Sequence, residues 1–269
     1  MLGKDRARDG AFKVATLSVS VLFILLSAVA LVSVLSWTSP SALLSALSSQ
    51  RIAYALSLTL FTSLVSTLLA LAVAIPAAYG LSRYNPPGSR IIEAIFSVPL
   101  ILPPVALGAV LLIFFSSTPL GEVLNAVFGI VFEVPGLIVA QFCVIMPIAT
   151  RTIKATFDSI DPMYEGLAMT LGCNTWQSAR RVLLPLSSNG IIAAAVLSWS
   201  RAVGEFGASV MLAGATPMKT ETLPISVFLR LSVADIPGMV ALVLIMIGMA
   251  LLVFFALYKF SEVKAMVGV

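Results

Sequence analysis

The chain has 269 residues, of which 59% are hydrophobic and 10% are charged, and its mean hydropathy is +1.08. A water-soluble domain of this length does not require so apolar a composition, so the sequence indicates an integral membrane protein. The net charge of +4 does not call for a nucleic-acid partner, because membrane orientation accounts for the basic residues.

Six apolar runs approach or exceed the roughly 20 residues that cross about 30 Å of hydrocarbon as a helix. The sequence therefore predicts an all-α, polytopic transmembrane helical bundle. The first run is longer than the apolar part of a signal peptide, so we expect an uncleaved helix. The predicted spans are 12–37, 53–81, 91–115, 134–150, 188–212 and 238–258.

The distribution of lysine and arginine predicts the orientation, because short cytoplasmic loops are enriched in these residues. With the amino terminus inside, most of the 16 basic residues lie on the cytoplasmic side. Arg51, Lys219 and Arg230 lie outside, and Arg201 lies within a span. Six crossings with both termini in the cytoplasm follow. We divide the chain into an amino-terminal segment with the first helix (1–52), a transmembrane core (53–260) and a cytoplasmic tail (261–269).

Prolines interrupt several predicted spans, and each removes a backbone donor and bends or breaks its helix. In lipid the freed carbonyls need protein or water partners, so broken helices tend to be buried or to line a cavity. The run 97–108, SVPLILPPVALG, contains Pro103 and Pro104. It is either a segment of a transport pathway or a kinked packing helix.

An acid and a base interrupt the fifth span one helical turn apart, at Arg201 and Glu205. A charge at the bilayer centre costs a few kcal/mol or more, so such groups usually face the protein interior or a hydrated path. The i,i+4 spacing also allows mutual neutralisation. Two interpretations stay open: an internal ion pair that fixes helix packing, or a lining of the solute route together with Ser198 and Ser209.

Cys143 and Cys173 have neither metal-ligand spacing nor an obvious shared compartment, and the chain has no histidine. The usual transition-metal sites and a disulfide are therefore not expected. No GxxxxGK[ST] phosphate loop is present, so the chain is not expected to be an ATPase or to bind a cofactor itself.

The largest cytoplasmic loop, 151–187, is predicted to form two helices around a glycine. Asp161 can cap the first helix, Gly172 permits a sharp turn, and the second helical stretch ends at Pro185. Leu167, Leu171 and Trp176 then form an apolar ridge that a groove on another protein would accept.

This loop resembles the signature of the permease subunits of type I ABC importers: Glu-Ala-Ala, three residues, Gly, nine residues, Ile, any residue, Leu-Pro. Gly172 holds the conserved glycine of the pattern, and Val182, Leu184 and Pro185 hold its end. Gly166 stands where the family has Glu, although Glu165 lies one residue earlier. The runs 97–108, 200–214 and 218–228 are similar to the molybdate/tungstate branch, with the sulfate/thiosulfate branch close behind.

The resemblance implies the type I permease fold in the cell membrane, a second copy of the chain, and two separate ATPase subunits that bind ATP and Mg²⁺. It also implies an extracellular or periplasmic oxyanion-binding protein that delivers the solute. The expected ATPase-coupling residues are Glu165, Gly166, Leu167, Ala168, Leu171, Gly172, Trp176, Leu184 and Pro185. The expected translocation-pathway residues are Pro103, Pro104, Ser198, Arg201, Glu205 and Ser209.

Two other functions remain as alternatives at this stage. In an ion-coupled secondary anion carrier, Arg201 or Glu205 would couple an ion to solute movement, although the sequence shows no internal repeat of the inverted-topology kind. In a membrane scaffold, the loop would only recruit a cytoplasmic protein, which leaves the prolines within the spans without a role.

Overall fold

A computed structural model describes residues 2–35, 48–84 and 86–267. These residues form helices and connecting turns without any strand, which confirms the all-α class. Two π-helical turns, Gly80–Tyr84 and Ala179–Leu183, interrupt them. The helices are α1 (Leu2–Leu35), α2 (Gln50–Tyr79), α3 (Ser89–Ile101), α4 (Pro104–Ser117), α5 (Pro119–Phe128), α6 (Val134–Asp158), α7 (Met163–Thr170), α8 (Thr175–Ser178), α9 (Leu184–Leu186), α10 (Ser188–Val203), α11 (Gly207–Ala213), α12 (Leu223–Ser232) and α13 (Ile236–Val267).

Four continuous helical segments in the described ranges are long and apolar enough to cross a membrane: Lys13–Ser33, Gln50–Tyr84, Val134–Asp158 and Ile236–Val253. Two bent pairs also qualify. Ile91–Ile101 and Pro104–Ser117 meet at 108°, and Thr175–Leu186 and Ser188–Val203 meet at 72°. Counting each pair as one crossing gives six, and six spans stay a prediction. The predicted end of the first span, Trp37, lies outside the described residues.

Two of the predicted spans are not single helices. The third breaks between Ile101 and Pro104, as its prolines predict, because Pro103 and Pro104 supply no N–H donor. The fifth was predicted to run unbroken over 188–212, and this is wrong: α10 ends at Val203 and α11 begins at Gly207. Between the third and fourth predicted spans lies a further helix, α5, which Thr118 caps.

The chain forms two compact units, residues 1–49 with 227–269 and residues 50–226. The core of the second unit lies where α2 packs against α6. Ala74 and Ala78 of α2 and Ala149 of α6 are fully buried in one apolar cluster, which continues to Phe157 and Leu183. Small side chains let two helices approach closely where lipid offers no hydrophobic drive for association.

A second close contact joins the two broken spans inside the same unit. A Cβ atom at Gly108 of α4 would lie 2.7 Å from both the Cα and the backbone O of Ala208 in α11. A Cβ atom at Gly207 would lie 2.9 Å from the backbone N of Val105. Because these neighbours are backbone atoms, glycine is required for the two helices to meet at this distance.

A buried acid, Glu221, links two segments of this unit at its predicted outer end. Glu221, which precedes α12, accepts hydrogen bonds from Nε of Arg51 at 2.8 and 2.9 Å and from Oγ of Ser226 at 2.8 Å. The backbone N of Leu223 also donates to Oγ1 of Thr59 at 2.8 Å. The segment before α12 is thus tied to the start of α2.

In the other unit, Asp235 caps the start of α13. Its carboxylate accepts hydrogen bonds from the Arg230 guanidinium and, at 3.0 Å, from the backbone N of Gly238. These donors hold the pKa of Asp235 below its usual value of 3.8. Since the folded pKa is lowered, the contribution of Asp235 to folding is present above this value and is lost as the pH falls.

We predict that Gly108→Ala destabilises the protein by about 1–3 kcal/mol, because the added methyl group collides with the backbone of α11 and overpacks the contact. Gly248→Ala is the matched control, since no atom lies within 4 Å of a Cβ atom at that position. Thermal unfolding of the purified proteins in detergent measures the difference. Equal unfolding midpoints for the two variants would contradict the prediction.

Candidate functional site

The loop predicted to be cytoplasmic folds into a defined hairpin, residues 159–187, which we call the coupling hairpin after the ATPase-coupling role that the sequence predicts. The backbone N of Met163 donates to Oδ1 of Asp161 at 2.8 Å, so Asp161 caps α7 as predicted. Asn174 and Gln177 form a reciprocal capping box at the start of α8. Each helix start therefore has a partner for a backbone donor that would otherwise be unsatisfied.

Gly172 makes the turn between the two arms of the coupling hairpin. Its φ of +93° lies in a region that favours glycine, and a Cβ atom there would meet nothing within 4 Å. The requirement for glycine at this position is therefore conformational and not steric. At Gly166 a Cβ atom also meets nothing within 4 Å and φ is ordinary, so the departure from the family pattern there costs no packing.

A buried ion pair holds the coupling hairpin against the end of α2. Nε of Arg83 donates to Oε1 of Glu165 at 2.6 Å, and the hydroxyl of Tyr79 donates to Oε2 at 3.2 Å. Nη2 of Arg83 also donates to the backbone O of Ile160 at 3.0 Å. Glu165 is only 4% exposed, so its carboxylate bonds within the chain and does not face solvent.

The second arm is bound to the same acid residue through its backbone. Oγ of Ser178, which is fully buried, donates to the backbone O of Glu165 at 3.1 Å. Leu183 is also fully buried and belongs to the apolar cluster of α2 and α6. The two arms of the hairpin and the inner end of the bundle thus share one packed base.

The predicted ridge of the coupling hairpin is exposed. Leu171 is 86% exposed, Trp176 is 69% exposed and Leu167 is 53% exposed. Ala168 and Leu184 are half-buried, and Pro185 is exposed. Large apolar side chains that project into water from an anchored hairpin form a surface suited to a protein partner.

Arg201 and Glu205 form an ion pair at the break between α10 and α11. Nη2 of Arg201 lies 2.7 Å from Oε2 of Glu205. The angles of this contact do not meet the geometry of a hydrogen bond, so the attraction is that between opposite charges. Oε1 of Glu205 accepts a hydrogen bond from the backbone N of Ala208 at 2.8 Å. Glu205 therefore satisfies a donor in the first turn of α11 while Arg201 neutralises it.

The predicted pathway residues differ in their access to the surface of the chain. Ser198 and Ser209 are fully buried, and their Oγ atoms have no hydrogen-bond partner among the described residues. Glu205 is buried, whereas the side chain of Arg201 is 34% exposed. Pro103 is exposed at the other helix break. Of the predicted pathway residues on and between α10 and α11, Arg201 is therefore the one whose charge reaches the surface.

Three ion pairs were not predicted from the sequence. Arg83 is one of the basic residues that the orientation places on the cytoplasmic side, and Arg51 and Lys219 are placed outside. The structure pairs them with Glu165, Glu221 and Glu133 respectively. For Glu165 and Glu221 the acid itself was a usable signal, because a carboxylate that is buried beside apolar helices needs a basic partner.

Among the described residues no three His, Cys, Asp or Glu side chains lie together as a metal site. Cys143 and Cys173 are both free thiols. The chemically notable features are the buried ion pairs, the two helix breaks that meet at Gly108 and Gly207, and the exposed ridge.

Comparison with known proteins agrees with this arrangement. Residues 70–265 match the family of binding-protein-dependent transport system inner membrane components. A probable molybdenum ABC transporter permease protein of Haloferax volcanii is 33% identical over 212 residues, which cover 79% of this chain and 77% of the relative. The sulfate transport system permease protein CysT of Salmonella typhimurium is 31% identical over 248 residues, 90% of each chain.

Solved structures show the same fold at low sequence identity. A chain of a bacterial ABC transporter involved in alginate import superposes with a TM-score of 0.73 at 17% identity, covering 98% of this chain and 99% of that one. A chain of the MetNI methionine ABC transporter gives a TM-score of 0.62 at 19% identity, covering 80% and 98%. The chain therefore belongs to the family of inner membrane components of binding-protein-dependent transport systems, and it is a multi-pass ABC importer permease.

Proposed function

We propose that this permease imports molybdate or tungstate, forming the translocation pathway with a second copy of itself. The single observation that carries the proposal is the similarity to the molybdenum permease of Haloferax volcanii, which extends over the helix breaks and the coupling hairpin. An external oxyanion-binding protein would deliver the solute, as membership of a family of binding-protein-dependent transport components suggests.

Sulfate is the second candidate solute, and a specific observation favours it. The CysT relative of Salmonella typhimurium aligns with 90% of this chain at nearly the same identity as the molybdenum permease. Molybdate, tungstate and sulfate are all dianions, so a pathway that carries one of them meets the same charge requirement for the others. Selection among them belongs in this proposal to the external binding protein.

The charge of the solute sets the demands on the pathway. A dianion does not enter bare hydrocarbon, so the route needs water or hydrogen-bond donors along it. Tight binding would hold the solute within the membrane. Arg201, which is partly exposed and already neutralised by Glu205, supplies a weak attraction without a strong binding site. The break at Pro103 and Pro104 packs against this region through Gly207.

The coupling hairpin is the proposed contact with two copies of a separate ATPase, which would bind ATP and Mg²⁺. The exposed ridge would enter a groove on each ATPase, and the buried Arg83–Glu165 pair would carry the motion into α2. Such a hairpin moves as a rigid body, so that closure of the ATPases biases the permease between two states.

Uptake by the reconstituted permease, with its ATPase and binding protein, tests the solute. We expect ATP-dependent molybdate uptake that tungstate competes with and that survives collapse of ion gradients. Preferential sulfate uptake would move the assignment to the second candidate. Uptake that requires an ion gradient and no ATP would overturn the importer mechanism.

For the coupling surface, we predict that Leu167→Asp weakens association with the ATPase by roughly tenfold or more, since truncation of a central interface residue costs about 2 kcal/mol. Met169→Asp is the matched control. Met169 is also exposed, but it lies two residues away in α7 and so points to the opposite side of the helix. Affinity is measured with the purified subunits, and equal losses for the two variants would show that the ridge is not the contact.

For the pathway, we predict different outcomes for one charge removed and for two. Arg201→Gln leaves the buried Glu205 carboxylate unpaired, and should destabilise the protein by about 3 kcal/mol or more. Arg201→Gln with Glu205→Gln removes both charges, and the Gln amide oxygen can still accept from Ala208. This double variant should fold normally but transport about tenfold more slowly, because a charge-assisted contact with the solute is lost. Normal uptake by the folded double variant would leave the pair a structural role alone.

A further inference from the structure

A charged cleft of about 400 Å³ separates α3 from the end of α6, within the unit formed by residues 50–226. Four charged residues are among those that line it: Glu93 of α3, and Arg151, Lys154 and Asp158 of α6. Because the charges come from two different helices, an ion pair across the cleft can hold these helices together.

Lys154 forms the ion pair that crosses the cleft. Its Nζ lies 3.4 Å from Oε1 of Glu93 on α3. The same Nζ donates a hydrogen bond to Oδ2 of Asp158, four residues further along α6, at 2.8 Å. This second contact lies within one helix, so it does not depend on the position of α3. Lys154 is therefore held in place by α6, while Glu93 can approach it or leave it.

Asp158 connects this ion pair to the coupling hairpin. Oγ of Ser82 donates to Oδ1 of Asp158 at 2.6 Å, and Nη1 of Arg83 donates to Oγ of Ser82 at 3.4 Å. Arg83 is the residue that pairs with the buried Glu165 of the hairpin. The contacts form a continuous series, which we call the inner polar chain, and its two ends lie on the hairpin and on α3. It consists of Glu165, Arg83, Ser82, Asp158, Lys154 and Glu93.

The two ion pairs of the inner polar chain differ in burial. The side chains of Arg83 and Glu165 are 10% and 6% exposed. Those of Lys154 and Glu93 are 23% and 45% exposed. Separation of a buried pair leaves charges without water, whereas the charges of a partly exposed pair are hydrated once they separate. A movement of the hairpin therefore separates Lys154 from Glu93 more easily than it separates Arg83 from Glu165.

The packing of α3 allows it to move relative to α6. It begins after Gly88, whose φ is +84°, and ends at the break before Pro104, where it meets α4 at 108°. None of its described side chains is fully buried, and Ile95 and Ile101 are 65% and 80% exposed. Phe96 packs against the cluster of α2 and α6 but is only partly buried. A short helix with a break at each end and light packing can turn as a rigid body.

We propose that the ion pair between Lys154 and Glu93 is a latch that holds the cleft closed, and that the inner polar chain transmits the position of the coupling hairpin to this latch. In the closed state the pair is formed, as in this structure. In the open state α3 has turned away, Glu93 is hydrated, and Lys154 keeps its hydrogen bond to Asp158. Both are positioning residues, since the latch acts on the broken third span and not on the solute. The transmission rests on the proposed ATPase contact, whereas the latch does not require it.

Access of a thiol reagent to the cleft tests the latch in the permease alone. The full-length chain carries Cys143→Ala and Cys173→Ala, and Ser97→Cys places a single thiol in the lining of the cleft. In lipid nanodiscs, its rate of modification by a small, charged methanethiosulfonate reports how often the cleft is open. Glu93→Gln should raise this rate about threefold to fivefold, because loss of a partly exposed ion pair shifts an equilibrium by up to about that factor. Glu122→Gln, at an exposed acid of α5 outside the cleft, is the matched control and should leave the rate unchanged.

The complete transporter tests the transmission. The permease is assembled with an ATPase variant that binds ATP without hydrolysing it. Between the nucleotide-free and ATP-bound states, we expect the modification rate at position 97 to change about fivefold or more. Ser82→Ala interrupts the inner polar chain and should reduce this change to about twofold or less, whereas Ser82→Thr keeps the hydroxyl and should keep the change. Ser159→Ala is the matched control, because the hydroxyl of Ser159 donates to the backbone O of Thr156 and lies outside the inner polar chain.

Equal rates for Glu93→Gln and Glu122→Gln would overturn the latch, whatever the ATPase does. An ATP effect of the same size in Ser82→Ala and Ser159→Ala, or no ATP effect in the unmodified complex, would overturn the transmission. An ATPase that does not bind the permease would overturn the proposed function instead, and the comparison in the permease alone would still decide the latch. A faster reaction in Glu93→Gln, together with an ATP effect that Ser82→Ala removes and Ser82→Thr retains, supports the proposal.

Discussion

The buried contact between Arg83 and Glu165 fixes the cytoplasmic part of this protein relative to its membrane helices. Both side chains are almost completely withdrawn from solvent, and Tyr79 and the backbone of Ile160 supply further hydrogen-bond partners. Loss of one partner of such a pair costs about 3–5 kcal/mol, because the other charge stays buried and unpaired. The exposed, apolar ridge of the coupling hairpin therefore stands on an anchored base, as the proposed contact with an ATPase requires.

The helix breaks depend on a different constraint, the need to satisfy backbone groups where water is scarce. At the break before α4, proline leaves fewer backbone N–H donors to satisfy. At the break before α11, the carboxylate of Glu205 accepts a hydrogen bond from a backbone N–H in the first turn of α11. The two interpretations of Arg201 and Glu205 therefore describe different ends of one ion pair. Glu205 supports the helix from the interior, and Arg201 carries the partly exposed charge on which the proposed pathway depends.

Local features of the fold follow from the sequence, and long-range pairings do not. Hydropathy is enough to predict the helices. The prolines are enough to predict the break after Ile101, and the glycine pattern of the loop is enough to predict the turn at Gly172. The partners of Glu165 and Glu221 lie 82 and 170 residues away along the chain, and no periodicity in one sequence connects them. The break after Val203 was missed for a related reason, since Gly204 alone is tolerated in a helix and the role of Glu205 appears only with its partners in place.

The π-helical turn at Gly80–Tyr84 gives the inner end of α2 a register that a regular helix lacks. A π-bulge accommodates one residue beyond the α-helical repeat, so the side chains that follow are rotated by about 100° around the axis. Deletion of a single amino acid from this turn would restore uninterrupted α-helical winding and swing the guanidinium group away from its acid. The span would remain just as hydrophobic, yet the coupling hairpin would lose its ion pair with the span, so the one additional residue of this turn is a constraint that hydropathy does not reveal.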